Sequence, residues 1–285
     1  MKFSLPLAAG RVSQAAWRGG EWRDGARALP EETPIAFSYD GAAYAVMMAS
    51  PGDLDDFAIG FSITEGIVAG PDDIEAIDII PVSAGVSVRI WLRRGRSEAL
   101  AERRRRMAGP LGCGMCGLES LEQANRAVPV VASDLRVTPA MIADALACMP
   151  AAQTLNLETR AVHAAAFWRP GAGLTALRED VGRHNAMDKL AGALAGGGIA
   201  PGSGILVLTS RISVEMVQKA AMIAAPLLVG VSAPTLMALR LADSSGITVA
   251  AIARSDGFEL FTHPARVQGK TPGGMTIGAR QGSRS

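Results

Sequence analysis

From about residue 160 onward, short apolar runs alternate with helix-length amphipathic ones. This alternation constrains the fold more than any other feature of the chain. Val162–Trp168 reads as a strand and Leu174–Leu177 as its partner; Asn185–Leu194 reads as a helix. Gly204–Thr209, Leu227–Val231 and Ile247–Ala253 read as apolar strands, separated by helical patterns over Val214–Ala225 and Thr235–Ala242. Strands that are apolar throughout must be buried on both faces. The order therefore predicts parallel strands with crossover helices, a three-layer α/β domain. The longest apolar run, Ala220–Val231, spans 12 residues and contains Pro226 and Gly230. A membrane span needs about 20 apolar residues, so a helix ending before Pro226 and a buried strand after it account for the run better.

The first half has a different texture. Residues 10–33 are rich in Gly, Arg and Glu and read as an irregular entry segment. Ile35–Ala49 is strand-like on both sides of Asp40-Gly41, a hairpin dipeptide. Asp53 precedes Leu54, Phe57, Ala58 and Phe61, whose spacing marks one face of a helix. Val86, Val88, Ile90 and Leu92 alternate with polar or exposed positions, as in a strand. Thr138 is placed to cap a helix over Pro139–Cys148. These patterns divide the chain into an irregular segment 1–33, an N-terminal α+β subdomain 34–135, an α/β domain 136–268 and a Gly/Ser/Arg/Thr-rich disordered tail 269–285.

Composition excludes several classes. The chain has 285 residues, 28 Lys+Arg against 27 Asp+Glu, and a formal net charge of +1. So balanced a charge argues against bulk electrostatic attachment to nucleic acid or membrane. The hydrophobic fraction is 49% and the aromatic fraction 5%, so the core must be aliphatic. Met1–Gly10 lacks the apolar stretch of a signal peptide. Three cysteines rule out a disulfide scaffold and suit a reducing cytoplasm.

Two of those cysteines form the sharpest local feature, Gly112-Cys113-Gly114-Met115-Cys116-Gly117, within a loop over 109–118. Glycines around the sulfurs leave the backbone free to approach another molecule. Arg103–Arg106 lies just upstream, and nearby cations favour the thiolate. The arginine run reads equally as a solvated helix face. Three chemistries compete for the cysteines: half of a zinc site, thioredoxin-like exchange, and sulfur carriage through a persulfide. A structural zinc site needs four ligands, and Cys148, His163, His184 and His263 are not paired at ligand spacing. A thioredoxin motif opens a helix after a strand, whereas this one lies in a Gly-rich stretch. Spacing alone does not separate redox exchange from sulfur carriage.

Several segments in order resemble one family. They are Met47–Leu54, Phe57–Phe61 with Thr64–Ile67, Gly112–Gly117, Thr159–Ala166, Glu179–Lys189, Thr209–Lys219, Val231–Thr235 and Ile252–His263. Together they are similar to the FdhD family of sulfur carriers needed to make active formate dehydrogenases. The resemblance implies a cytidine-deaminase-like α/β fold without the deaminase zinc pattern. It also implies a sulfurtransferase that takes persulfide sulfur from a cysteine desulfurase. The sulfur would pass to the molybdenum or tungsten bis-molybdopterin guanine dinucleotide cofactor, bound as substrate, before insertion into the formate dehydrogenase catalytic subunit. A non-catalytic chaperone that only holds this cofactor is the alternative. The resemblance assigns the persulfide to Cys113, an auxiliary role to Cys116, and a homodimeric state. It places cofactor contacts at Ile252, Ala253, Arg254, Ser255, Asp256 and Gly257. This stretch departs from the commoner family form, a Gly followed by a basic residue, because Asp256-Gly257-Phe258 stands there and leaves Arg254 as the basic group.

Independent of resemblance, ligands of open α/β sheets bind at the carboxyl ends of strands. Ser210 and Arg211 follow one apolar strand and Ser232 another, while Arg183 and His184 open a predicted helix whose amides face an anion. Each has a plainer reading. Arg183 pairs with Glu179 or Asp180, His184 is a hydrogen-bonded structural residue, His163 is a core histidine, and Ser210 and Arg211 cap the next helix. Met47 and Met48 are core residues and Cys148 an inert buried thiol.

Overall fold

The computed structural model describes residues 3–98, 100 and 127–269. Cys113, Cys116, Arg103–Arg106 and the segment 270–285 lie outside the described residues.

The chain opens with strands β1 (Ala9–Arg18) and β2 (Glu21–Pro30), paired antiparallel in a ribbon of their own. The irregular reading of residues 10–33 is therefore corrected. The ribbon is exposed on both faces, so its strands carry none of the apolar alternation that burial imposes. A Gly19-Gly20 turn with both φ positive closes it.

Strands β3 (Thr33–Tyr39), β4 (Ala42–Ala49), β5 (Ile74–Val82) and β6 (Gly85–Leu92) form a four-stranded sheet in the order β4-β3-β6-β5. Asp40 and Gly41 turn between β3 and β4 at φ 50° and 80°, as the dipeptide indicated. Ile35, Phe37 and Tyr39 face inward with Val86, Val88 and Ile90. Helix α1 (Leu54–Thr64) buries Leu54, Phe57, Ala58 and Phe61 against them. Met47 only packs at the edge of this core, and Met48 points outward at 46% exposure, so the paired methionines are not both core residues. They sit on successive residues of a strand and must face opposite ways.

The second sheet has six strands in the order β12-β11-β10-β9-β7-β8. They are β7 (His163–Arg169), β8 (Gly173–Asp180), β9 (Ile205–Leu208), β10 (Leu227–Gly230), β11 (Thr248–Arg254) and β12 (Gly257–Thr262). Strands β9, β10 and β11 are mutually parallel, whereas β7, β8 and β12 run antiparallel to their neighbours. The parallel expectation thus holds for the centre of the sheet. Tight turns at Gly171–Gly173 and Ser255–Gly257 leave no room for a crossover at its edges.

Alternate residues of this sheet enter two cores. Ala165, Phe167, Leu206, Leu208, Leu228 and Val249 face the shared core with the four-stranded sheet. Ala166, Trp168, Ile205, Val207, Leu227 and Val229 face the opposite layer, built on helix α2 (Pro139–Ala147) and the short helix α3 (Met149–Ala152), with α4 (Thr154–Thr159) following it in the chain. Thr138 caps α2 by accepting from the Met141 amide at 3.2 Å. Between the sheets lie α1, α5 (Arg183–Gly196), α6 (Val214–Met222) and α7 (Leu236–Ser244). Gly60 of α1 and Gly192 of α5 let these helices touch backbone to backbone. A Cβ at Gly60 would stand 1.7 Å from the Asp188 carbonyl oxygen, and one at Gly192 1.9 Å from that of Asp56.

Candidate functional site

The Glu179–Lys189 segment begins at the end of β8 and runs into α5. Most of its polar side chains build the fold. Glu179 accepts from the Leu155 and Asn156 amides at 2.8 Å each, satisfying the otherwise bare amino end of α4. Asp180 is fully buried and accepts from the amides of Ser50 and Gly182, from Asn185 and from Lys189. Lys189 also donates to the Ser50 carbonyl at 2.8 Å, and Asn185 to that of Met48. The β8–α5 corner is thereby tied to the end of β4. One turn on, Asp188 accepts from Lys219 at 2.7 and 3.0 Å and from Thr64 at 2.6 Å, joining α1, α5 and α6.

Two members of the segment are left for other work. Arg183 does not pair with Glu179 or Asp180, whose oxygens are taken by the donors above. Its Nε is buried without a hydrogen-bond partner. The Gly182 amide is committed to Asp180 at 2.8 Å and is not available to a ligand. His184 sits in the first turn of α5, with Nε2 3.4 Å from Glu215 Oε2 in the first turn of α6.

The carboxyl ends of the parallel strands reach the same edge. Thr209 follows β9 and exchanges hydrogen bonds with the Ala164 backbone, which places it beside His163. Ser210 is buried, and its hydroxyl donates to the Arg211 carbonyl, so it does not cap the next helix. Ser213 holds the cap position of α6 instead, and Arg211 is exposed. Val231 and Ser232 follow β10. The Ser232 carbonyl accepts from the Ile252 amide, and the Val231 carbonyl accepts from Arg254. Ile252 adopts φ 53° where the β11–β12 register slips, and its side chain is 39% exposed. A β-branched residue in the left-handed region is strained, and such strain gathers at functional sites. Gly257 closes the Ser255–Asp256 turn at φ 154°.

Arg183 and His184 follow β8, Ser210 and Arg211 follow β9, Ser232 follows β10 and Ile252–Gly257 lies where β11 ends, so all fall at one end of the six-stranded sheet. Glu215, His163 and Thr209 join them without having been singled out as site residues; Glu215 was hidden because partners 31 residues apart share no local pattern. His163 is half-buried, not a core residue. Burial, then the charges of Arg183 and His184, push its ring below the ordinary histidine range. The hydrogen bond from His184 and that from Ser213 pull Glu215 down to about 2 against its partial burial. The rim therefore carries the Arg183 guanidinium, whose buried Nε has no hydrogen-bond partner, two imidazoles, the half-buried Ser232, the exposed Ser255 and the carboxylates of Glu215 and Asp256. Such a donor set suits a phosphate-bearing anion. Cys148 is half-buried on the opposite layer; burial raises its thiol pKa, consistent with an inert thiol.

The structure is thus a mixed α/β protein with Arg183, His163 and His184 near the rim where its parallel strands end. A crystal structure of a proposed formate dehydrogenase accessory protein from Desulfotalea psychrophila has the same fold, with a TM-score of 0.73 at 23% identity, covering 92% of this chain and 100% of that one. In sequence, the chain is 52% identical over 258 residues to the sulfur carrier protein FdhD of Agrobacterium fabrum, covering 90% of this chain and 95% of the relative. It is 44% identical over 267 residues to that of Xanthomonas campestris, covering 93% and 95%. Residues 30–268 match the FdhD/NarQ family, and the chain belongs to that family. Among the described residues, no helix is long and apolar enough to cross a membrane.

Proposed function

We propose that this chain is a cytoplasmic sulfur carrier serving formate dehydrogenase maturation, with Cys113 as the carrier thiol. Its thiolate attacks the outer sulfur of a persulfide on a cysteine desulfurase. The donor's S–S bond breaks, the desulfurase cysteine leaves as a thiolate, and a new S–S bond forms on Cys113. One persulfide replaces another, so nothing is oxidised or reduced overall. The acceptor is the molybdenum or tungsten bis-molybdopterin guanine dinucleotide, bound as substrate along the rim. Delivery as hydrosulfide needs two electrons. Cys116 supplies them with Cys113: its thiolate attacks the Cys113 sulfur, HS⁻ leaves for the metal, and a Cys113–Cys116 disulfide remains. A cellular thiol reduces that disulfide before the next cycle.

The observation that carries this reading is the family match over residues 30–268, which includes both Gly112–Gly117 and the rim. Sulfur carriage, for which the relatives are named, is the chemistry that the glycine-bounded cysteines suit. The rim supports a diphosphate-bearing substrate because Arg183 offers a buried donor without a partner and Arg254 and Arg211 flank the strand ends.

The test is intact-protein mass spectrometry after incubation with a cysteine desulfurase and cysteine. The wild-type chain should gain one sulfur, and Cys113→Ala should not. A gain that survives Cys113→Ala and Cys116→Ala together overturns the reading. Formate dehydrogenase activity that persists in cells carrying that double variant points instead to a chaperone that holds the cofactor without moving sulfur.

A further inference from the structure

Helices α5 and α6 present their first turns side by side at the rim, and a histidine from one meets a glutamate from the other. The His184 Nε2 to Glu215 Oε2 distance is 3.4 Å, with the side chains 31% and 30% exposed. Ser213 occupies the cap position of α6. A serine there ordinarily accepts from an amide of its own helix. This one makes no such bond; its hydroxyl donates to Glu215 Oε2 at 2.7 Å. The helix forgoes its side-chain cap, and the carboxylate is held from two sides. A glutamate serving only the helix dipole needs neither contact.

We propose that Glu215 is a positioning residue for substrate capture: it holds the His184 ring by Nε2–H and so turns Nδ1 toward a phosphate oxygen of a nucleoside diphosphate at the rim. An imidazolium carries a proton on each ring nitrogen, so it can give Nε2–H to Glu215 and Nδ1–H to a phosphate at the same time. Glu215 from α6 meets the ring at hydrogen-bond distance, and His163 from β7 lies near enough to feel its charge. This inference rests on the proposed cofactor site, because the guanosine diphosphate half of that substrate supplies the phosphates.

The experiment is calorimetric titration of the full chain with guanosine diphosphate, comparing the wild type, Glu215→Gln, His184→Gln and the double variant at equal thermal stability and one neutral pH. Glu215→Gln should weaken binding about tenfold, the size of one charge-assisted contact, and should reduce the shift of the His184 ring signals that the nucleotide produces by NMR in the wild type. His184→Gln should weaken binding as much, and adding Glu215→Gln to it should cost nothing further. Unchanged affinity in Glu215→Gln, or losses that add in the double variant, overturns the inference. A wild-type chain that does not bind the nucleotide overturns both this inference and the rim as the cofactor site. Sulfur loading of Cys113 is measured separately and stands or falls by itself.

Discussion

Lys189 Nζ lies 2.7 Å from Asp180 Oδ2, and neither side chain is exposed to solvent. A buried charge survives only when its partners satisfy it, and here each does. Asp180 gathers two backbone amides and Asn185, while Lys189 adds the Ser50 carbonyl. The pair joins the end of β4 to the start of α5, and so fixes the rim relative to the four-stranded sheet.

Removing one partner should be far worse than removing both. Lys189→Met leaves Asp180 buried without its counter-charge and should cost about 3–5 kcal/mol. Adding Asp180→Asn should recover part of that loss. Urea denaturation midpoints of the two single variants and the double variant measure the coupling. Additive losses would show that the two residues act independently.

The α1–α5 crossing should tolerate no side chain. Gly60→Ala places a methyl 1.7 Å from the Asp188 carbonyl oxygen, which belongs to a helix backbone and cannot swing aside. A loss of about 1–3 kcal/mol or more is expected. Gly196→Ala, where nothing lies within 4 Å, is the control and should not destabilise. Thermal unfolding of both variants decides the matter.

Ile252 should gain stability on losing its side chain. At φ 53° a residue with a Cβ carries about 1–2 kcal/mol of strain, and this side chain is 39% exposed and packs little. Ile252→Gly should therefore raise the melting temperature by about 2–4 °C, the shift that follows from about 1 kcal/mol in a chain of this size. A lower melting temperature would mean that rim packing outweighs the backbone strain.

Acid should weaken the fold in two stages. His163 is held below its ordinary range, so the unfolded chain binds the proton more readily. Stability from this group is complete above about pH 6.5 and is lost as pH falls through the folded value. Glu215 is pulled down from 4.5 to about 2, so its contribution is complete above about pH 4.5 and fades toward pH 2. His163→Gln should flatten the first stage and Glu215→Gln the second, as read from melting temperatures across the pH range.

Local pattern revealed most of the elements. The Leu54–Phe61 periodicity, the Asp40-Gly41 turn, the Thr138 cap and the break at Pro226 all stand where short-range chemistry indicated. The β1–β2 ribbon escaped because its residues are largely exposed, so burial never imposed a period on it, and β12 is a short edge strand only partly buried. Site legibility followed the same rule. Arg183, His184, Ser232 and Arg254 are traceable because each ends or follows a strand or opens a helix. Their division of labour is not. Nothing local tells that Asp180 and Asp188 are buried hubs while Arg183, three residues after one and five before the other, keeps a donor free.

The order of residues by itself determined the α/β class, the paired cysteines at 113 and 116 with their glycines, and the loops in which Ser210, Arg211 and Ser232 follow the strands. These depend on period, spacing and backbone freedom, which act over a few residues. Only the tertiary structure decided which polar groups are consumed in holding the sheets together and which remain on the rim. That outcome depends on burial and on partners such as Ser50 and Asp180, 130 residues apart, or His184 and Glu215, and long-range desolvation leaves no signature in the adjacent chain.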